Sequence, residues 1–444
     1  MIAALGAVGG VAAAVRAESD AARSAVAAAG GVAAGVLALS VPPSVGARGA
    51  TLVSTGAALV AACARCSSRA RATDARRRAI TLPQAAEPAS PLPEGATFDV
   101  PGLSPLFTPP EHFYVTDVAL PAPSVDHRAW RLRVTGMVDR PLELSLEDLL
   151  GMTLSELDAT LVCVHNPVGG SRIGSARWLG LPLADLLERA GVQPDAEQLV
   201  ARSVDGFTAG IPVSRVSSPH AALLAIGMNG EPLTVANGFP ARLLVPGLWG
   251  ADANTKWVTE LELTTWGAVR DYWDRRGWPR QPSAVRPGAR IDTPRHRDVV
   301  PVGTVTVAGM TWAPPRGVDG VEVSVDDGPW RQAELSAPVA PTLWRQWRLE
   351  WAAAAGRHVI RVRALSDGRP QTHEPAPPYP VGSAGHHTIT LEALPEIAAR
   401  RSAISTRGGR ARDDLHARLR LAAAAVPAWR SRGFPPAPRW PAPR

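Results

Sequence analysis

Lysine is almost absent from this chain: Lys256 is the only one among 444 residues, and every other basic residue is arginine. A composition so set against lysine marks Lys256 as a position that needs an ammonium, or one where a lysine survives by chance. Cysteine is scarce as well. Three in this length cannot form a disulfide framework, which excludes a small stapled scaffold. There is no GxxxxGK[ST] phosphate loop, no GxSxG nucleophile elbow, no HExxH zinc helix and no CxxCH haem attachment. The cysteine set of an iron–sulfur cluster is missing too. Apolar residues, at 45%, are plentiful enough for a sizeable core, so disorder throughout is excluded; the length suits two or three domains.

The formal charge of +7 is unevenly placed. Residues 1–80 hold +6 and residues 396–444 hold +8, which leaves −7 for residues 81–395. The folded part is acidic, and a groove for nucleic acid is not expected there.

Residues 1–80 form an Ala-rich leader. Residues 25–47 carry no charge across 23 positions, enough to span a bilayer, although Pro42-Pro43 and many small residues weaken that pattern. The arginines from 65 to 78 favour a cytoplasmic flank. A cleavable signal peptide fits poorly, and no twin-arginine signal occurs, because Arg76-Arg77-Arg78 leads into a Pro-rich stretch. A membrane anchor and a disordered leader both stay open, and the expected location is membrane-associated, on a side left undecided. Cys63 and Cys66 form a CxxC with no second pair or nearby histidine to complete a zinc site; inert thiols are the simpler reading.

Eight prolines between residues 81 and 110 give a stiff linker. Globular patterning follows over residues 111–288. Trp130, Leu132 and Val134 alternate with Arg131 and Arg133 as in a strand, and Ser145 with Asp148 is a helix start. Leu183, Leu186, Leu187 and Ala190 keep helical spacing up to Gly191. The class is therefore α+β. Over residues 289–395 short alternating strands take over: Val305 and Val307; Val321 and Val323; Trp347, Leu349 and Trp351; Ile360 and Val362; Ile389 and Leu391. With a hairpin signal at Asp327-Gly328, they indicate an antiparallel sandwich. Residues 396–444 read as a basic, disordered tail.

The segment from Ala159 to Gly170 carries Cys163 to the end of a strand-like run, which Asn166-Pro167 and Gly169-Gly170 break at once. Taken alone, such a cysteine is a buried hydrophobe. Its context is Thr160-Leu-Val-Cys163-Val-His-Asn166, Ile173-Gly-Ser-Ala-Arg177-Trp178, Ser203-Val-Asp205-Gly-Phe-Thr208, Gly227-Met-Asn-Gly-Glu-Pro232, Gly238-Phe-Pro-Ala-Arg242 and Thr255-Lys256-Trp257, in that order. This set resembles the sulfite oxidase-type molybdenum oxidoreductases, and among them the bacterial membrane-associated members, over residues 81–395. Arg290-Ile-Asp-Thr-Pro294 then leads into what resembles the family's immunoglobulin-like β-sandwich dimerisation domain.

The resemblance implies a sulfite oxidase-like molybdopterin-binding domain with a molybdenum-pyranopterin cofactor. Cys163 would be its metal-ligating thiolate, and Arg242 and Lys256 would hold its phosphate. Asn166 would bond the pterin or the site wall. Asp205 would accept from pterin nitrogens or shape its own turn. Tyr272 stands for the active-site tyrosine of the sulfite oxidisers, or for a core or interface residue, and Arg177 with Trp178 would line the pocket, Arg177 drawing in an anion. Two departures weaken the case for sulfite itself: Val115 or Thr116 replaces an arginine, and Asn237 replaces a histidine.

The implied activity is oxygen-atom transfer to or from a small substrate. A reductase of sulfoxides or another oxyanion, and a non-catalytic membrane-tethered binding protein, are the alternatives. Electrons would pass to an external cytochrome or quinone-linked subunit. A homodimer is expected, since Trp312, Trp330, Trp344, Trp347 and Trp351 exceed what one sandwich core needs.

Overall fold

The computed structural model describes residues 72–395 except Leu120 and His220. The chain divides into two compact units, one of residues 76–407 and one of residues 1–75 with 408–444. The Ala-rich leader, its Cys63 and Cys66, and the basic tail lie outside the described residues.

The unit 76–407 opens with ten strands: β1 (Leu132–Gly136), β2 (Leu142–Leu144), β3 (Ser155–Val162), β4 (Ile173–Pro182), β5 (Gln198–Ser203), β6 (Thr208–Pro212), β7 (Leu223–Met228), β8 (Glu231–Pro232), β9 (Arg242–Leu244) and β10 (Val258–Thr264). Three short helices interrupt them: α1 (Leu146–Leu150), α2 (Leu183–Ala190) and α3 (Gly250–Ala253). One sheet runs β2-β1-β10-β5-β6, the other β3-β4-β7-β8 with β9 on β7. Ser145 and Asp148 cap α1 reciprocally, and Gly191, at φ 68°, ends α2 in the left-handed region. The apolar positions of α2, all buried, join β1, β3 and β10 in one core with Leu132, Leu149 and Leu161. Each buried leucine there contributes about 1.5–3 kcal/mol.

Residues 288–394 form two further sheets. β11 (Gly288–Thr293), β13 (Gly303–Trp312), β17 (Arg345–Ala353) and β16 (Glu334–Leu335) make one, in that order. The other runs β12 (Val299–Pro301), β20 (His387–Leu394), β18 (Gly356–Ser366), β14 (Gly320–Val325) and β15 (Arg331–Gln332), with β19 (Arg369–Pro370) on β18. Val307, Trp347 and Leu349 from the first meet Val321, Ile360, Val362 and Ile389 from the second in a common core, because alternate residues of a strand face one side. The tight turn after β14 sits one residue earlier than the sequence signal, with Asp326 and Asp327 both at positive φ.

The fold is mostly β, where the sequence indicated α+β. Outside residues 183–190 the apolar residues recur with a period close to two, and helices stay at four to eight residues. No helix among the described residues is long and apolar enough to cross a membrane, and the leader on which membrane association was expected lies outside them. The tryptophan surplus also has an internal explanation. Trp312, Trp344, Trp347 and Trp351 are all at least nine-tenths buried inside this chain, and Trp330 packs against Arg363 and His386.

The sandwich clamps the loop that follows β3. Ser383 Oγ donates to the Asn166 carbonyl at 2.6 Å, and Arg290 Nη1 donates to the Gly170 carbonyl at 2.9 Å. Thr160, on β3 itself, accepts from the Trp344 amide at 2.8 Å, and its own amide donates to the Thr342 carbonyl. Val162, Val164 and Ile173 share an apolar cluster with Trp249, Trp312 and Trp344.

Candidate functional site

Cys163 lies one residue past β3, 3% exposed and with a free thiol. The Arg172 carbonyl accepts from its amide, and the Asn166 amide closes the turn back onto its carbonyl. Its sulfur faces the Thr116 hydroxyl at 3.7 Å. Burial pushes the thiol's pKa up, while the His165 backbone, the Thr116 hydroxyl and the Arg172 charge pull it down. Of the two residues read as replacing an arginine, Thr116 is the one that faces the sulfur, while Val115 is exposed.

Tyr114 completes the wall. Its phenol lies so close to Gly250 that a Cβ there would come within 2.7 Å of the hydroxyl. Burial holds its proton far more tightly than usual, reinforced by the charge a Cys163 thiolate would carry and opposed by Arg242. Cys163, Tyr114 and Arg242 therefore form one electrostatic group.

Arg242 is 6% exposed. It donates to the Asn237 carbonyl at 3.2 Å and more weakly to that of Asn254, and its plane lies over Trp178 at 5.1 Å. Among the described residues it has no ion pair, and its Nε has no acceptor. Asn254 Nδ2 and Thr255 Oγ1, both buried, are likewise without partners. Leaving such donors unbonded costs about 1–3 kcal/mol each, more for a charged one. They lie on neighbouring backbone, since the Leu243 amide donates to the Thr255 carbonyl. A cation and two neutral donors waiting together fit an anion with several acceptor oxygens, as a phosphate has.

Lys256 is placed differently. Asp117 pairs with its ammonium, and Ala236 accepts from it at 2.8 Å. Gly238 leaves room for both cations: at φ +108°, a Cβ there would stand 3.1 Å from the Cβ atoms of Arg242 and of Lys256. Burial lowers the Lys256 pKa to about 8 despite Asp117, and burial raises that of Asp117. Asp205 lies within electrostatic reach of both, and its carboxylate also accepts from the Phe207 amide, shaping its own turn.

Other expected site residues stand apart. Arg177 is engaged by Asp158 through two 2.8 Å hydrogen bonds, as the β3–β4 register pairs them, and reaches the Ser90 carbonyl. Trp178, on the opposite face of β4, is the one that turns toward Arg242. Asn166 accepts from the Arg172 amide and holds the loop. Tyr272 packs between Phe207 and Trp273 under the Arg276 guanidinium, at 3.5 Å. Asn237 donates to the Pro110 carbonyl. Tyr114, Asp117 and Asn254 are not singled out by the sequence, and Thr255 enters there only as part of the Thr255-Lys256-Trp257 motif; the one available signal is an acid in the same segment as the missing arginine.

Residues 119–273 match the oxidoreductase molybdopterin binding domain. Mitochondrial sulfite oxidase of Homo sapiens is 31% identical over 307 residues, covering 58% of this chain and 56% of that protein. Sulfite oxidase of Arabidopsis thaliana is 30% identical over 273 residues, 51% of this chain and 69% of the relative. An uncharacterized oxidoreductase of Bacillus subtilis is 33% identical over 153 residues, 34% of this chain and 74% of the relative. The crystal structure of the sulfane dehydrogenase SoxCD from Paracoccus pantotrophus is alike in fold, with a TM-score of 0.50 at 24% identity over 56% of this chain and 70% of that one. The chain spans 56% of the length of the Macaca fascicularis and Homo sapiens sulfite oxidases it matches. Mitochondrial sulfite oxidases among these relatives contradict the membrane association expected from the leader, which itself lies outside the described residues.

Because Lys256 is the only lysine, lysine labelled with ¹³C and ¹⁵N gives one side-chain resonance to follow. In the ligand-free chain it should titrate near pH 8, and Asp117→Asn should move the midpoint lower. A folded-state value below the ordinary 10.5 means that the unfolded chain binds the proton more tightly, so stability should rise from about pH 8 to 10.5 as the buried charge is relieved. A midpoint at the ordinary value, indifferent to Asp117→Asn, would contradict this geometry.

Proposed function

The chain belongs to the sulfite oxidase-type molybdopterin oxidoreductases, and from that premise we propose that it is a molybdenum-dependent enzyme moving an oxygen atom to or from a small sulfur substrate. The observation that carries this reading is a buried thiol, the one cysteine among the described residues, grouped with a buried guanidinium that makes no ion pair among them. Cys163 would be the protein's ligand to the metal. Arg242, Asn254, Thr255 and Lys256 would hold the cofactor's phosphate, with Asp205 near the pterin. The bound cofactor supplies the two-electron redox chemistry.

The chain's own groups orient and charge the pocket. Tyr114 remains a phenol, able to donate a hydrogen bond beside the sulfur. Arg242 offsets the negative charge that a thiolate and a phosphate bring into a dry site. Thr116 faces the sulfur without adding charge, so the pocket has one fixed cation fewer than a site built for sulfite. Arg177, tied to Asp158, does not replace it. That exchange favours a less charged sulfur substrate, since anion selection relies on charge-assisted pairs. A sulfoxide reductase is the second reading, supported by the same exchange. Tyr272 acts, in this account, from the rim rather than beside the sulfur.

An external electron carrier, a cytochrome or a quinone-linked subunit, completes the reaction. The two sheets over residues 288–394 support an immunoglobulin-like sandwich, which would serve a homodimer. Protein made with the cofactor supplied should hold molybdenum in about stoichiometric amount, and should reduce an artificial acceptor with a sulfur oxyanion or oxidise a viologen with a sulfoxide. A metal-loaded sample inert to all such substrates would overturn the assignment. Sedimentation should give twice the 46.7 kDa chain mass; monomer alone at micromolar concentration would refute the dimer.

A further inference from the structure

His165, two residues after Cys163, begins a run of touching rings. Its imidazole lies 4.6 Å from Tyr379, 6.4 Å from Trp278 and 6.5 Å from Trp273, centroid to centroid. Trp273 and Trp278 stack at 4.1 Å, and Trp278 meets Tyr379 at 5.8 Å. The run ends at the surface, where Tyr379 is 52% exposed. At its other end the His165 backbone touches the Cys163 sulfur.

Arginines flank Trp273 and Trp278 in the chain. Five arginines and two aspartates fall between residues 270 and 286, and both aspartates are turned inward. Asp271 accepts from the amides of Gly210, Trp273 and Asp274, and Asp274 is shared by Arg270 and Arg280. Arg270, Arg275, Arg276 and Arg280 are exposed, as is Arg172, which donates to the His165 carbonyl. Glu374 is the only acid between residues 372 and 382, beside Tyr379 in the chain. This surplus of positive charge stands out because residues 81–395 as a whole hold −7.

We infer that the surface formed by Tyr379, Trp278 and the arginines of residues 270–280 is the docking site of a small acidic one-electron carrier protein. The inference rests on the oxidoreductase reading above and adds to it the place and the charge of the partner. Packed rings give a short through-contact route between the sulfur and the surface, and the arginines select a carrier with a negative face by complementarity. In the oxidising direction the substrate takes one oxygen from water and releases two protons and two electrons. The electrons leave singly, each reducing one carrier.

The test compares the holoenzyme with its Arg275→Glu/Arg280→Glu and Arg275→Gln/Arg280→Gln variants. Binding of an oxidised acidic c-type cytochrome is measured by calorimetry at low ionic strength, and turnover with uncharged duroquinone is measured in parallel. Charge reversal should weaken cytochrome binding about tenfold or more, the glutamine pair less, and added salt should weaken the wild type toward the variants. Duroquinone turnover should stay unchanged. Equal affinity in all three proteins, or equally tight binding of a basic c-type cytochrome, overturns the docking site. Absence of turnover with every acceptor instead counts against the oxidoreductase reading, and the binding arm still decides the docking site.

Discussion

A guanidinium sealed from water with no carboxylate to neutralise it is the constraint that the rest of this site answers to. Burying Arg242 costs several kcal/mol unless an anion meets it, and the protein supplies only carbonyls and a tryptophan face. The nearest acidic groups do not pair with it: burial raises the pKa of the Tyr114 phenol, and the Asp117 carboxylate is engaged by Lys256. Asn254 and Thr255 add unbonded donors beside it. The arrangement makes sense as half of a binding pair whose other half is an anion, and in the proposed reading Cys163 would add the soft ligand that a thiophilic metal prefers.

Holding the thiol in place falls to the sandwich as much as to the strand that carries it. Loop 163–172 has Asn166-Pro167 and two glycines, a composition that favours mobility. Ser383, Arg290 and the Trp344 side of the sandwich fix it through hydrogen bonds and a shared apolar cluster. The second pair of sheets is thus part of the site's rigidity, and a ligand atom delivered by a loop stays where a metal could use it.

Much of this was legible beforehand, for local reasons. The strands of residues 289–395 show themselves because every second residue is apolar, and Val307, Trp347, Ile360 and Ile389 all reach the core that pattern implies. Cys163 was legible as a strand-end thiol because Asn-Pro and Gly-Gly break the strand at once. The same alternation bears on Arg177: with Trp178 turned inward, Arg177 faces the other way, where the register supplies Asp158. Tyr114 and Asp117 had no such signal. They sit in extended chain without periodicity, and the pairing of residue 117 with residue 256 exists only through the tertiary fold. The α+β label is not confirmed: both helices the sequence signals, the one starting at Ser145 and that of residues 183–190, form, but they are five and eight residues long in a fold otherwise made of strands.

The most direct measurement is X-ray absorption at the molybdenum edge, comparing wild-type protein with Cys163→Ser, each produced with cofactor available. The account predicts that the variant's metal loses one sulfur neighbour while the pterin sulfurs remain, or that the metal is lost altogether. An identical sulfur count and full occupancy in the variant would contradict it.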